Sequence, residues 1–264
     1  MTQPTTPYME TTRKFVEKTG KLAMPIAREL GVSPTAIIGA VANEYDTRKQ
    51  WGWGVQAGAD VWARMSSFGP YPRIPKQRIE PSSGKPGVLR KIVNPFTIDI
   101  GPGNIRVDAA ISMVQDYVER HKKTKKDPLG LLKYRNDYDS LVNDLLNFEN
   151  PKASYAIAGL FLAEGQKLLK QKSRHAWDKL SPDQKDALLV TYFKIGKEQI
   201  ERNIDKRLNA PNRSPGDFAY NPRGDGGQQH LNNADNLRKW LRMPRMDYPT
   251  THLDTGPKQL TIDR

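Results

Sequence analysis

The sequence predicts a mainly α-helical protein, and three observations support this. Apolar residues recur at intervals of three and four along several stretches, as expected for helices with one buried face. Two of these stretches begin with a Ser-Pro pair, at Ser33 and at Ser181, where the serine can cap a helix and the proline suits its first turn. The hydrophobic content of 37% is sufficient for a substantial core in a chain of 264 residues.

The N-terminal part predicts a polar leader and then one interrupted helix. Residues 1–9 are rich in proline and threonine, so we expect a leader or linker there. The helix that follows should be broken near Gly20 and Pro25 and should end at Gly31. Its expected buried side consists of Phe15, Leu22, Ile26 and Leu30.

The stretch Ser33–Arg48 predicts an amphipathic helix with one acidic residue on its apolar side. Ile37 and Val41 follow the helical period, and Glu44 falls on the same face. Burial on such a face disfavours the ionised form of a carboxyl group, which suits a general acid that works near pH 7. The alternative is a structural ion pair between Glu44 and Arg48, and the spacing alone favours that alternative.

Residues 49–97 predict an insertion, and no long helix is expected in its part from residue 66 to 97. Three tryptophans, Trp51, Trp53 and Trp62, fall within twelve residues that also contain three glycines. Their rings could stack on sugars or bases, or fill a core beneath an irregular loop, and the sequence favours neither. Residues 66–97 contain six prolines, so we expect extended backbone with a small β-hairpin there.

Helical patterning resumes after the turn at Gly101-Pro-Gly. Val107, Ile111, Val114 and Val118 mark the apolar face of one predicted helix, and Tyr134–Leu146 and Ala153–Leu169 continue the pattern. Beyond them, Ser181 and Gln184 have the spacing of a capping box for a helix that ends at Gly196.

The composition changes at residue 209, where asparagine, proline, glycine and arginine become frequent. We therefore divide the chain into a helical domain at 10–208 and an irregular arm at 209–264 that packs on it. A short helix around Ala234–Leu241 is expected within the arm.

Charge and composition restrict the classes of partner. The formal net charge of +13 favours an extended acidic partner, such as nucleic acid, an anionic envelope polymer or an acidic protein. The chain contains no cysteine, which excludes disulfides, thiolate metal sites and cysteine nucleophiles. There is no pattern of a conventional signal peptide and no run of about eighteen apolar residues, so we do not expect membrane insertion.

Because the sequence lacks the common metal-binding, nucleophile and phosphate-binding motifs, acid/base chemistry by carboxylates is the type of catalysis that remains. The four histidines lack metal-ligand spacing, and neither a G-x-S-x-G elbow nor a phosphate-binding glycine loop occurs, so no metal and no cofactor are expected. Glu44 is the first catalytic candidate. The candidates for a second group are Asp46, Asp60 and Asp99.

Several segments occur in an order that resembles a known family. Gly31–Glu44, with the sequence GVSPTAIIGAVANE, is similar to the catalytic helix of the lysozyme-like superfamily, which includes lytic transglycosylases and goose-type or bacterial muramidases. Gly101-Pro-Gly-Asn-Ile is similar to the G-x-x-Q-[IMV] turn of that family, with Asn104 where glutamine is usual. Asn150–Leu162 resembles its central helix. Thr191–Gly196 resembles its Y-N-x-G segment, with Phe193 at the tyrosine and Lys194 at the asparagine.

The resemblance implies a lysozyme-like fold and roles for particular residues. Glu44 would be the general acid that protonates the glycosidic oxygen. The residues implied to bind glycan are Tyr45, Gly103, Asn104, Ile105, Tyr192, Phe193 and Lys194. Tyr45 stands where the family usually has serine, and hydrolysis and intramolecular 1,6-anhydro formation both remain open as outcomes.

The leading hypothesis is a muramidase that cleaves the β-1,4 bond between N-acetylmuramic acid and N-acetylglucosamine in peptidoglycan. The resemblance and the charge suggest a monomeric antibacterial effector, delivered by a type VI or similar contractile machine into the periplasm of a target bacterium, with a cognate immunity protein. A phage endolysin is the alternative within this class.

Two further hypotheses belong to other classes. One is a basic helical module that binds nucleic acid through Lys and Arg while the tryptophans stack on bases. The dispersed basic residues and the lack of a helix-turn-helix signature argue against it, so we expect no nucleic-acid partner. The other is a catalytically silent lysozyme fold with a binding role.

Overall fold

The computed structural model describes residues 7–50, 53–66, 95–124, 126–173, 176–204 and 226–244. These residues form ten α-helices, four short 3-10 helices and one antiparallel pair of two-residue strands. The prediction of a mainly α-helical protein is therefore confirmed. No helix within the described ranges has the length and apolar character needed to cross a bilayer.

The helices in chain order are α1 (Glu10–Thr19), α2 (Ala23–Leu30), α3 (Pro34–Gln50), α4 (Trp53–Met65), α5 (Val107–His121), α6 (Tyr138–Leu145), α7 (Lys152–Lys172), α8 (Pro182–Ile195), α9 (Lys197–Ile204) and α10 (Gly227–Leu241). The strands are β1 (Asp99–Ile100) and β2 (Ile105–Arg106). The 3-10 helices are Gly20–Leu22, Pro95–Thr97, Leu132–Tyr134 and Trp177–Lys179.

The expected break near Gly20 is present, whereas Pro25 does not interrupt the chain and lies in the first turn of α2. The 3-10 turn at Gly20–Leu22 separates α1 from α2, and α2 ends at Gly31, whose φ of 63° is in the left-handed region. Glycine adopts this conformation without the steric cost of a Cβ atom, so the chain can reverse into α3 within three residues.

α3 is the central helix and is not amphipathic. It packs against α1, α2, α7, α8 and α10, and every residue from Pro34 to Glu44 is buried. The amphipathic prediction is wrong because apolar and small side chains occupy all sides of the helix, as expected for a helix inside a core. Glu44 is nevertheless buried, with only 7% of its surface exposed.

α4 lies where the sequence predicted irregular chain. The helix starts at Trp53 and packs against α3, β1 and α6, and these contacts outweigh the cost of its two internal glycines. Trp62 does not fill a core, because 40% of its surface is exposed. Trp51 and residues 67–94 of the predicted insertion lie outside the described residues.

The hairpin of β1 and β2 follows the predicted insertion and leads directly into α5. Asp99 pairs with Arg106 and Ile100 with Ile105, around a tight turn at 101–104. The helix α5 then begins at Val107, so the turn is fixed between a strand pair and a long helix.

The C-terminal part of the described chain packs on the central helix. The capping box is confirmed: Ser181 N donates to Gln184 Oε1 at 2.8 Å, and Gln184 N donates to Ser181 Oγ at 3.3 Å. α10 packs against α8, α3 and α1 and has 15 residues, so the prediction of a short helix was wrong. Its first turns are polar, yet His230 and Asn233 are fully buried. The predicted leader and arm extend beyond the described residues.

Candidate functional site

Glu44 meets two donors from distant parts of the chain. Its Oε2 accepts a hydrogen bond from Asn104 Nδ2 at 3.1 Å, although the two residues are 60 positions apart. Its Oε1 lies 3.1 Å from Lys194 Nζ, in the last turn of α8. Each oxygen of this buried carboxyl group therefore contacts a donor from a different element.

Asn104 is held in an unusual conformation. Its φ is 48°, in the left-handed region that asparagine tolerates better than most residues, and its backbone N–H donates to Gly101 O at 3.1 Å. The side-chain Oδ1 is buried and has no hydrogen-bond partner in the described part of the chain. A buried acceptor of this kind favours a ligand that brings a hydroxyl or an N–H group.

The side chain of Lys194 lies next to the turn that precedes α10. A Cβ atom on Gly226 would lie 3.5 Å from Lys194 Cδ, so the lysine stem passes next to this glycine. Gly226 O accepts a hydrogen bond from Asn43 Nδ2 at 2.9 Å, and Asn43 precedes Glu44 in α3. The turn before α10 thus contacts both the lysine and the helix that carries Glu44.

Arg48 holds the hairpin turn and does not pair with Glu44. Its Nη2 lies 3.0 and 3.1 Å from the two carboxylate oxygens of Asp60, and its Nη1 donates to Gly101 O. Gly101 N donates to Asp60 Oδ1 at 3.2 Å. The predicted Glu44–Arg48 ion pair is therefore wrong, because Asp60 on α4 offers the guanidinium a bidentate partner.

Gly101 is required by the geometry of this turn. Its φ is 66°, and a Cβ atom built on it would lie 1.9 Å from the carbonyl oxygen of Leu145. The turn therefore lies directly against the end of α6, and this contact fixes where Asn104 is presented to Glu44.

The other acidic candidates have structural partners. Asp46 is fully buried, and its Oδ1 accepts from Met9 N at 2.9 Å and from Thr12 Oγ1 at 2.6 Å, which ties α1 to α3. Asp60 anchors the hairpin turn through Arg48. Asp99 pairs in register with Arg106 in the hairpin.

The aromatic candidates contact other aromatic rings or glycine. Tyr45 stacks on Phe15 with ring centroids 4.2 Å apart, and burial, then the nearby Glu149, raises the pKa of Tyr45. Phe193 meets Phe161 edge-on at 6.0 Å.

Tyr192 is packed into the helical body. Burial, followed by the charges of Glu164 and Glu201, raises the pKa of Tyr192 to about 12. Its ring lies against Gly165, where a Cβ atom would approach to 2.6 Å. Gly103 and Ile105 are also buried. Of the seven implied glycan-binding residues, Asn104 and Lys194 contact Glu44 directly.

Sequence reasoning did not identify Asn43 or Phe148 and assigned Arg48 a different partner. Asn43 links α3 to the turn before α10, Arg48 holds the hairpin turn, and the ring of Phe148 lies 5.7 Å from the Arg48 guanidinium. The position of Arg48 in the sequence indicated a buried partner, because a charged residue in a helix with a buried face needs one. Nothing in the sequence marked that partner as Asp60.

A second polar cluster is buried between α3, α8 and α10. Asp186 Oδ2 accepts from Ser33 Oγ at 2.8 Å and from Thr35 Oγ1, and it lies 3.9 Å from His230 Nε2. Neither ring nitrogen of His230 has a hydrogen-bond partner among the described residues. Burial lowers the pKa of His230 to about 4; the charge of Asp183 opposes this shift and that of Arg238 adds to it.

Within the described ranges, no group of three or more His, Asp or Glu side chains is arranged to hold a metal ion. Comparison of the chain with protein-family models, curated proteins and solved structures gave no match.

Proposed function

We propose that the protein is a muramidase that cleaves the β-1,4 bond between N-acetylmuramic acid and N-acetylglucosamine in peptidoglycan. The observation that carries the proposal is the meeting of Glu44, Asn104 and Lys194. Each of these residues lies in a different one of the segments that resemble the lysozyme-like superfamily. A shared ancestral site would bring such positions together, whereas unrelated helical packing would not be expected to do so.

The proposed chemistry needs one proton carrier. Protonated Glu44 donates its proton to the glycosidic oxygen, so the leaving sugar departs as a neutral alcohol and positive charge develops at the anomeric carbon. The resulting carboxylate then takes a proton from water, or from the 6-hydroxyl of the same sugar, as that oxygen bonds to the anomeric carbon. Both routes return the proton to Glu44 and differ only in the nucleophile.

Asn104 would bind the glycan next to the reacting bond. Its Nδ2 holds Glu44, and its buried Oδ1, which has no hydrogen-bond partner among the described residues, can accept a hydrogen bond from a sugar hydroxyl or from an acetamido N–H. A glycan rich in both groups satisfies this acceptor, which is a further reason to prefer a sugar substrate.

The biological setting is a further part of the proposal. The charge of +13 favours approach to an anionic cell wall. We infer an antibacterial effector that acts in the periplasm of a target bacterium, with a cognate immunity protein that would cover Glu44. This setting rests on the resemblance and the charge.

The test compares the wild type with Glu44→Gln on purified peptidoglycan. The amide keeps the shape of the side chain and loses the transferable proton, so the fall in turbidity should slow by a factor of about 100 to 10,000. Circular dichroism should show that the variant is folded. Equal rates for the two proteins would contradict the proposal.

Nucleic-acid binding is the second candidate, because the charge is +13 and Trp62 is 40% exposed on α4. Binding that depends on phosphate contacts weakens steeply as salt increases. A titration of a single-stranded oligonucleotide at several salt concentrations tests this candidate. Affinity that does not respond to salt, or no measurable binding, would remove it.

A further inference from the structure

The pairing of Glu44 conflicts with its proposed role as an acid. Lys194 and Asn104 both present N–H donors to the carboxyl group, at 3.1 Å in each case. Donors on both oxygens suit a carboxylate, whereas a protonated carboxyl group would direct its own hydrogen at one of them. One of the two donors must therefore move before Glu44 can act as an acid.

Lys194 is the donor that can move. Its side chain is 28% exposed, compared with 9% for the side chain of Glu44, so the ammonium lies at the more open end of the pair. A lysine stem has four rotatable bonds, and an ammonium group accepts many partner geometries. Asn104, by contrast, is fixed by its left-handed backbone and by its bond to Gly101.

We propose that Lys194 determines substrate specificity by leaving Glu44 for a carboxylate that the glycan carries beside the bond to be cleaved. This inference rests on the muramidase proposal and adds the preference of the enzyme among glycan substrates. The substrate carboxylate replaces Glu44 as the partner of the ammonium, and Glu44 takes up a proton from solvent. A neutral glycan leaves the ion pair intact, so Glu44 stays ionised and has no proton to donate.

Peptidoglycan offers this carboxylate from two sources. Peptide-free muramic acid carries a free lactyl carboxylate, and intact strands carry carboxylates on their stem peptides. Both present the same chemistry to an ammonium group. The relative rates on peptide-free and intact strands distinguish them.

The experiment measures kcat and KM on four substrates: intact strands, peptide-free strands, peptide-free strands whose carboxyl groups have been reduced to alcohols, and chitin oligomers. The reduced strands differ from their parent only at the carboxyl groups, where a neutral alcohol replaces the carboxylate. The proteins are the wild type, Lys194→Gln, Lys194→Arg and the control Lys197→Gln, which removes one charge from an exposed position in the next helix.

We expect the wild type to cleave carboxylate-bearing strands at least about tenfold faster than reduced strands, which corresponds to one charge-assisted hydrogen bond. Lys194→Gln should lose this preference, with rates on the two substrates within about twofold of each other, because no ammonium discriminates between them. Lys194→Arg should restore the preference, and Lys197→Gln should behave like the wild type.

Two results would overturn the inference while leaving the muramidase intact: equal wild-type rates on parent and reduced strands, or an unchanged preference in Lys194→Gln. The first does not require any variant to fold. The results that would contradict the muramidase proposal itself are different: either no glycan is cleaved, or Glu44→Gln cleaves as fast as the wild type.

Discussion

Asn104 donates a hydrogen bond of 3.1 Å to Glu44 from a backbone conformation with φ of 48°. The bond joins the central helix to the turn between β1 and β2. Its geometry is set by backbone that is itself fixed, so the position of the Glu44 carboxyl group depends on the hairpin turn.

Replacing Asn104 with glycine removes the side-chain amide and keeps the backbone conformation, so the two contributions can be measured separately. Glycine accepts a positive φ without strain, so the free energy of unfolding should change little. Lysis of peptidoglycan should slow by a factor of about 10 to 100, since the amide that positions Glu44 and accepts a hydrogen bond from the glycan is lost. Turbidity assays and urea unfolding measure the two effects. A variant that is fully active would show that the amide has no part in the reaction.

Replacing Gly101 with alanine should be far more damaging than the same change at Gly130. Both glycines have positive φ, at 66° and 72°, but only at Gly101 would the Cβ atom collide with a backbone oxygen, that of Leu145. We expect Gly130→Ala to cost about 1 kcal/mol of unfolding free energy and Gly101→Ala about 3 kcal/mol or more. Equal costs in urea unfolding would contradict the close approach of the turn to α6.

The Arg48–Asp60 pair should show strong coupling. Its side chains are mostly buried, at 8% and 15% exposure, so Arg48→Met leaves the carboxylate without its main partner and should destabilise by about 3 kcal/mol. Arg48→Met combined with Asp60→Asn should cost less than the sum of the single changes. A double-mutant cycle from urea unfolding measures the difference, and strict additivity would argue against the pairing.

His230 should make the fold sensitive to acid. The unfolded chain protonates this histidine below about pH 6.5, whereas in the folded protein the pKa is lowered to about 4 by burial. Between these values the unfolded state binds more protons, so the free energy of unfolding falls as pH drops through this window, by up to about 3 kcal/mol. Above the window His230 is neutral in both states and contributes no pH dependence.

Urea unfolding of the wild type and His230→Gln at several pH values checks this prediction. The variant should lack the additional loss of stability on acidification. An NMR titration of the folded wild type provides a second measurement that needs no variant. A His230 ring that titrates near the value for an exposed histidine would contradict its burial.

Local signals in the sequence predicted much of the fold. The predictions of the Ser181 capping box and of the helix end at Gly31 were correct because each is determined by a few neighbouring residues. α4 and the length of α10 were missed for the opposite reason. Both contain glycine or polar residues that disfavour a helix locally, and packing against other elements stabilises them.

The site was predictable only in part. Spacing placed Glu44 on the apolar face of a predicted amphipathic helix, and the resemblance included positions 104 and 194 among seven implied glycan-binding residues. Periodicity could not identify the partners of Glu44, since the donors come from a turn and from another helix. The choice of Asp60 as the partner of Arg48 likewise depends on how α4 packs, which no local pattern contains.

Mass spectrometry of the fragments released from peptidoglycan by the wild type and by Glu44→Gln tests directly whether Glu44 is the acid of a muramidase. We expect the wild type to release fragments ending in muramic acid, either as a reducing end or as the 1,6-anhydro form that is lighter by one water. Glu44→Gln should release almost none. Fragments without muramic acid ends from the wild type, or equal release by both proteins, would contradict a muramidase that uses Glu44 as its acid.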